Sequence, residues 1–259
     1  MTSATARVTV NVVGGGLQPP AQAAAAGYTK LVFREEFDGY SGIDVNDSRA
    51  AGFNFYRFLP FGEGVNPMSN IVVSNSVLTL TGGPNYNMAL TSTCGTGTNQ
   101  WVGLAARGGA YFEASIAFSL PQGSYGGPNG RGWPSFWSMA AEHLWGNASG
   151  WIEFDMFEKW DTSQSFYLGN IHSWGGSHQS SQQNLFAPSG WNWNIFHTFG
   201  GLWQPSNRVA WYTDNQFKGQ RLFSSSAWMD NGDSQSWPVI LGSDNWPMRI
   251  DWVRVWAAP

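Results

Sequence analysis

The chain reads as one large all-β domain, a β-sandwich or jelly roll, and three observations carry that expectation. Short runs rich in Val, Ile, Phe and Trp recur along the chain, parted by turn residues such as Gly82-Gly83-Pro84, Asp214-Asn215 and Asn231-Gly232. No apolar pattern keeps the helical period beyond three turns. Only 12% of the residues are charged, while 16% are aromatic and 32 are Gly, a balance that suits strands, turns and a large aromatic surface. With 259 residues, such a domain buries roughly three quarters of its unfolded surface. It therefore needs no cross-link, and the lone Cys94 offers no intrachain disulfide.

The elements follow in order. Residues 4–13 alternate Val and Thr with the period of a strand. Residues 14–27, rich in Gly, Pro and Ala, have linker composition. The chain thus divides into a strand at 1–13, a linker at 14–27 and a main domain at 28–259. The first strand is either the remnant of a preceding Ig-like module or an edge strand of the main domain. Within the main domain, strands are predicted at 31–33, 71–73, 77–81, 110–120, 152–157, 209–212, 239–241 and 250–256. Residues 134–145 are predicted to be a short helical or irregular stretch.

Composition also excludes partners. A formal charge of −4, with 13 Lys and Arg scattered singly, argues against nucleic acid. No run of 18 or more apolar residues is present, so no membrane-spanning helix is predicted. The N-terminus lacks a signal peptide's charged and apolar regions, as in a cytoplasmic protein or a mature secreted one. Sixteen Trp on a weakly charged chain suit a neutral sugar polymer, because an indole covers the C–H face of a sugar ring while its N–H stays wet. About half of these Trp are expected in the core.

The chemistry concentrates in Trp151-Ile152-Glu153-Phe154-Asp155-Met156-Phe157-Glu158. Strand alternation puts Glu153 and Asp155 on one face and Phe154 and Met156 on the core face. Five positions separate the two glutamates, so strict alternation would turn Glu158 away. A β-bulge at Met156 or Phe157 returns it to the face of the other two acids. Three carboxylates this close cannot all ionise freely, so at least one pKa is expected to rise. Two carboxyl groups with pKa values pushed apart serve as acid and nucleophile, which is what glycoside hydrolysis requires. A solvated acidic edge strand would not carry Ile, Phe and Met on its alternate face, and calcium loops are Gly- and Asn-rich rather than strand-like. Neither H-E-x-x-H nor G-x-S-x-G occurs, so metalloprotease and esterase readings fall away.

Glu153-x-Asp155-x-x-Glu158 resembles the signature of family-16 glycoside hydrolases, which include laminarinases, lichenases, agarases and carrageenases. Four other stretches resemble that family in its order: Leu31 to Asp38, Gly109 to Ala114, Trp133-Pro134-Ser135-Phe136-Trp137, and Phe196-His197-Thr198-Phe199-Gly200 with Trp203. The last strand, from Met248 to Trp256, resembles the family's closing strand. The resemblance implies a concanavalin-like jelly roll with a substrate cleft on its concave face. It also implies a secreted or periplasmic, monomeric endo-β-glycanase that retains configuration. The default substrate is a β-1,3- or β-1,3-1,4-glucan. The alternatives are a galactan-cleaving enzyme, a transglycosylase or a non-catalytic carbohydrate-binding module. Glu153 is implied as nucleophile, Glu158 as general acid/base, and Asp155 as the group that tunes their protonation.

Further site candidates follow. Trp133 and Trp137 are expected as sugar platforms or core, and Trp101 as a weaker platform beside Trp145, Trp160 and Trp174. Asn170 and His172 would lie on the next strand near the acids, while His197 is expected to pack structurally. The Gly-rich stretch 123–132 lacks a phosphate loop's Lys and is read as a cleft-edge loop. No cofactor is expected for catalysis. The resemblance implies a structural Ca²⁺ with ligands matching Glu36 and Asp251. Ile152 stands where the family usually has Gly, and the long insert 140–150 carries Glu142 and His143, so the cleft is expected to differ in shape.

Overall fold

The computed structural model describes residues 16–58, 64–81, 88–118, 134–159, 165–175, 177–222, 230–243 and 246–259. The predicted strand at 4–13, the Gly-rich stretch 123–132, Trp133 and Trp160 lie outside these residues. The chain opens with α1 (Ala21–Ala25), β1 (Lys30–Glu35), β2 (Ile43–Asp44), β3 (Phe55–Tyr56), β4 (Ile71–Ser74) and β5 (Val77–Leu80). It continues through β6 (Met88–Thr91), β7 (Thr93–Gly97), β8 (Gln100–Gly103), β9 (Ala110–Phe118) and β10 (Ser135–Met139). Next come α2 (Ala141–Leu144), β11 (Trp151–Glu158), β12 (Phe166–Trp174) and β13 (Gln179–Phe186). The chain ends with β14 (His197–Gln204), β15 (Arg208–Thr213), β16 (Gln216–Leu222), α3 (Asp230–Ser234), β17 (Ile240–Ser243) and β18 (Met248–Ala257).

Two sheets pack face to face in a β-sandwich of jelly-roll type. One runs β16-β15-β14-β9-β18-β5-β4, with β1 also paired to β18. The other runs β13-β12-β11-β10-β17-β6-β3-β2 and carries the acids on β11. A small hairpin of β7 and β8 stands apart from both. Residues 134–145 divide between β10 and α2: the second part is helical as expected, and the first is strand where helix or irregular structure was expected. Strand-forming residues won there because Ser135, Phe136 and Trp137 pair with β17 as well as β11.

The core between the sheets is built from alternate residues. Phe112, Ala114, Ile116 and Phe118 come from β9, Phe154 and Met156 from β11, and Val253 and Val255 from β18. Trp203 and Trp237 stack within it at 3.9 Å and 7°. These fully buried indoles account for part of the Trp excess by packing, as expected.

All nine residues of β9 are buried, because both faces of that strand are covered. Its outer residue Tyr111 packs with Ala23, Tyr28 and Tyr212. Residues 21–25, whose composition reads as linker, therefore form a short helix docked on the sheet, with Ala23 fully buried. Gln22 Nε2 donates to the Tyr111 hydroxyl at 2.7 Å, and the Tyr28 hydroxyl donates to the Trp203 carbonyl at 2.9 Å. Composition misleads here because four Ala suit a helix as well as a flexible tether.

Candidate active site

The predicted bulge is present on β11. Against β12, Asp155 pairs with Asn170 and Glu158 with Leu168, so β11 spends one extra residue. Against β10, Phe157 pairs with Phe136 and Asp155 with Trp137, which places the same extra residue on the other side. Met156 and Phe157 both turn into the core, and Glu158 returns to the face of Glu153 and Asp155.

The opposing sheet holds this bulge in shape. The indole N–H of Trp211 on β15 donates to the Asp155 carbonyl at 2.7 Å. Gly201 on β14 lies beneath it, where an added Cβ would meet Met156 Cγ at 2.2 Å and Phe154 at 2.8 Å. Gly169 gives Trp211 its room, since a Cβ there would lie 2.4 Å from the indole nitrogen. Only glycine permits such close approach between layers.

Around the acids, β12 contributes three side chains at period two. Asn170, His172 and Trp174 stand opposite Asp155, Glu153 and Trp151 respectively. Asn170 Nδ2 donates to Glu158 Oε2 at 2.5 Å. Trp174 Nε1 donates to Glu153 Oε2 at 2.9 Å. His172 Nε2 lies 3.3 Å from Asp155 Oδ2, an ion-pair distance without hydrogen-bond alignment. One oxygen of Glu153, one of Asp155 and one nitrogen of His172 lie within 4.8 Å of one another.

Electrostatics follow from this crowding. Burial pushes the Glu153 carboxyl well above the usual carboxylate range, and the charges of Asp155 and Glu158 add to the rise. His172 and the Trp174 N–H pull it back towards the ionised form. Asp155, 2% exposed, is also raised well above its ordinary value, first by burial and then by the charge of Glu158 and a hydrogen bond shared with it. The expected rise is thus found, on Glu153 and Asp155.

Two imidazoles complete the wall. His143, on the insert, stacks on Trp151 at 3.4 Å and 6°, and His178 stacks on Trp174 at 3.8 Å and 10°. Trp151 and Trp174 are themselves near parallel, at 6.3 Å and 22°. Trp174 thus has a neighbour on its ring and reaches Glu153 through its N–H edge, which differs from the expected sugar platform.

The other candidates divide. Trp137 is on the acid-bearing face, opposite Asp155, but it is 3% exposed and packed with Ala89, Met139 and Ile240. Its structural place is that of a packed floor, because a platform needs an open ring face. Trp101 sits on β8 opposite Gly95, and Trp145 packs on Phe58 at 4.1 Å. Among the described residues, no hydrogen bond or ring contact joins Trp101 to the acids. His197 is structural, as expected, with Nδ1 2.8 Å from Asp214 Oδ2 and its ring on Trp191 at 3.6 Å.

Glu36 and Asp251 do not fit a calcium site. Glu36 is compensated by Arg34 at 2.7 Å and Arg254 at 3.1 Å, and a cation there would have to displace both guanidiniums. Asp251 accepts instead from Ser115 Oγ at 3.5 Å.

Sequence reading missed Trp174 as a carboxylate donor, and it missed His178, Trp211 and Gly201. The period-two run Asn170, His172, Trp174 carried a signal for the first. His178 lies beyond a turn, and Trp211 and Gly201 belong to the other sheet, so no local pattern points to them.

No protein-family profile matches the chain, and no curated protein does. Solved structures match it across nearly its full length. The laminarinase catalytic domain of Thermotoga maritima MSB8 aligns at a TM-score of 0.55 and 18% identity, covering 89% of this chain and 98% of that one. The GlcNAcα1-4Gal-releasing endo-β-galactosidase of Clostridium perfringens aligns at 0.60 and 20%, covering 93% and 65%. A non-specific endo-β-1,3(4)-glucanase of family GH16 aligns at 0.55 and 18%, covering 89% and 91%. At these identities the likeness is one of fold. The resemblance to family-16 glycoside hydrolases carried by the motifs therefore extends to the architecture of the whole domain.

Proposed function

We propose that this chain is a retaining endo-β-glycanase of the family-16 type, with Glu153 as nucleophile and Glu158 as general acid/base. The observation that carries the reading is the bulge on β11, which sets Glu153, Asp155 and Glu158 on one face of one strand. Nothing in packing requires that arrangement, since it crowds three carboxyls where charge is costly.

The residues suit a double displacement. Retaining hydrolysis needs carboxyl groups about 5–5.5 Å apart, too close for a water between them. In the first step Glu153 attacks the anomeric carbon, and the bond to the leaving oxygen breaks as Glu158 protonates that oxygen. In the second step Glu158 takes a proton from water, the hydroxyl adds to the anomeric carbon, and Glu153 is released. Asp155, held protonated by burial and by Glu158, supplies a hydrogen bond to Glu158 while that group changes charge. The Trp174 N–H favours the ionised Glu153 that attack requires.

The preferred substrate is a β-1,3- or β-1,3-1,4-glucan, acted on outside the cell, where a polymer too large to cross a membrane is met. Beside the acids, β13 offers Ser180, Gln182 and Asn184 opposite His172, Asn170 and Leu168, neutral groups suited to sugar hydroxyls.

The test is reducing-end release from laminarin, lichenan, agarose and carrageenan, followed by NMR of the first product. Release of reducing ends with retained configuration, lost in Glu153→Ala and greatly reduced in Glu158→Gln, is the expected result. An inverted first product would overturn the two-step scheme. Binding without any release would make the chain a carbohydrate-binding module.

A further inference from the structure

The wall beside the acids holds a second imidazole that the double displacement does not use. His172 is in contact through both ring nitrogens. Nε2 faces Asp155 Oδ2 at 3.3 Å, and Nδ1 lies 3.0 Å from Nε2 of His178. The two imidazoles are near parallel, at 5.2 Å and 15°. His178 is itself exposed to solvent and seated on Trp174, the donor to Glu153.

We infer that His178 is a positioning residue that sets the tautomer of His172, and through it the proton held by the Asp155–Glu158 pair. The inference rests on the hydrolase reading above. A neutral imidazole carries its proton on one nitrogen only, and the partner of the other nitrogen decides which. With a donor from His178 at Nδ1, the proton of His172 sits on Nε2 and faces Asp155. Without it, the two tautomers compete, and the alternative offers a lone pair to the carboxyl instead. The first arrangement eases ionisation of the carboxyl pair, and the second makes the pair hold its proton more tightly.

Among the described residues, the charged and titratable groups around the two imidazoles are Asp155 and Glu153 from β11, Glu158 beyond them, and His172 itself on β12. Loss of solvation pushes His178 towards its neutral form, as does His172 whenever that ring is protonated, so His178 meets a neutral His172 as a neutral ring.

Stacking and hydrogen bonding by His178 are separable. His178→Phe keeps a ring on Trp174 but no nitrogen. His178→Gln keeps an amide that can donate to Nδ1 but no ring. In the full chain, His178→Phe is expected to lower kcat about 5–10-fold, the worth of one hydrogen bond, with KM unchanged. The basic limb of its kcat/KM profile moves to higher pH. His178→Gln returns both to near the wild-type values.

Nitrogen-15 NMR of His172, read without substrate, should show the proton on Nε2 in wild type and in His178→Gln, and mixed tautomers in His178→Phe. A His172 signature that is the same in all three proteins would overturn the inference. So would a His178→Phe variant with wild-type kcat and pH profile. Because the nitrogen signature needs no turnover, it decides this inference even where the glycan screen fails.

Discussion

Glu153 is the residue on which opposing forces are best resolved. Burial and two neighbouring acids favour its neutral form, while the Trp174 N–H at 2.9 Å and His172 favour the ionised one. A hydrogen bond to a charged group contributes roughly 1.5–3 kcal/mol. Trp174→Phe keeps the stack with His178 and removes only the donor. It should lower kcat tenfold or more, by about that energy. It should also move the acidic limb of the pH profile upward, because Glu153, the proposed nucleophile, then ionises at higher pH. An unshifted acidic limb, measured from pH 3 to 7, would show that the contact does not stabilise ionised Glu153. Asn170 Nδ2 donates to Glu158 at 2.5 Å, so two of the three β12 side chains serve as carboxylate donors.

Among the elements, β11 depends on its neighbours for its shape. A bulge leaves backbone groups outside the ladder, and Trp211 donates to one of them from the other sheet. Gly201 lets that sheet approach, with no room for a methyl group against Met156. Gly201→Ala should therefore destabilise the fold by roughly 1–3 kcal/mol, the usual cost of overpacking. It should also lower kcat, since displaced Met156 and Phe157 carry Glu158 with them. Thermal melting and kcat measured together check this. A loss of stability with unchanged kcat would uncouple the bulge from the acids. The insert is the other element that shapes the site, through α2 and the His143 ring on Trp151.

For the whole molecule, the buried acids are a liability. A carboxyl whose folded pKa lies above its unfolded value favours the native state when protonated. That contribution is fully present below the unfolded pKa, near 4, and is lost as pH rises through the folded value. With Asp155 and Glu153 both raised, the domain should gain stability on mild acidification from neutral pH, until other groups intervene. Asp155→Asn replaces a buried carboxyl that has to hold a proton at neutral pH with an amide that is neutral at every pH. It should melt about 2–6 °C above wild type at pH 7, with the difference shrinking towards pH 4 and activity falling. A mutant that melts below wild type at pH 7 would show that the acids are well compensated in the resting fold. Together with the Trp-rich packing, this explains how a domain without disulfides can carry a costly site: the core supplies the stability that the acids spend.

Local rules made much of this legible in the amino-acid order. Period-two alternation located β9, β11 and β18, and the odd spacing of Glu153 and Glu158 required the bulge that β11 contains. That works because strand faces and carboxyl crowding are set by neighbours a few residues apart. Tertiary structure alone decided which Trp pack and which donate. Trp137 and Trp174 look alike in sequence, yet one is a packed floor and the other holds a carboxylate. It also decided that an Ala-rich stretch docks as a helix, that Glu36 is neutralised by arginines, and that Gly201 and Trp211 support the bulge from 45 or more residues away. The reason is physical: burial, ion pairing and close approach are properties of surfaces that meet only after the sheets have packed.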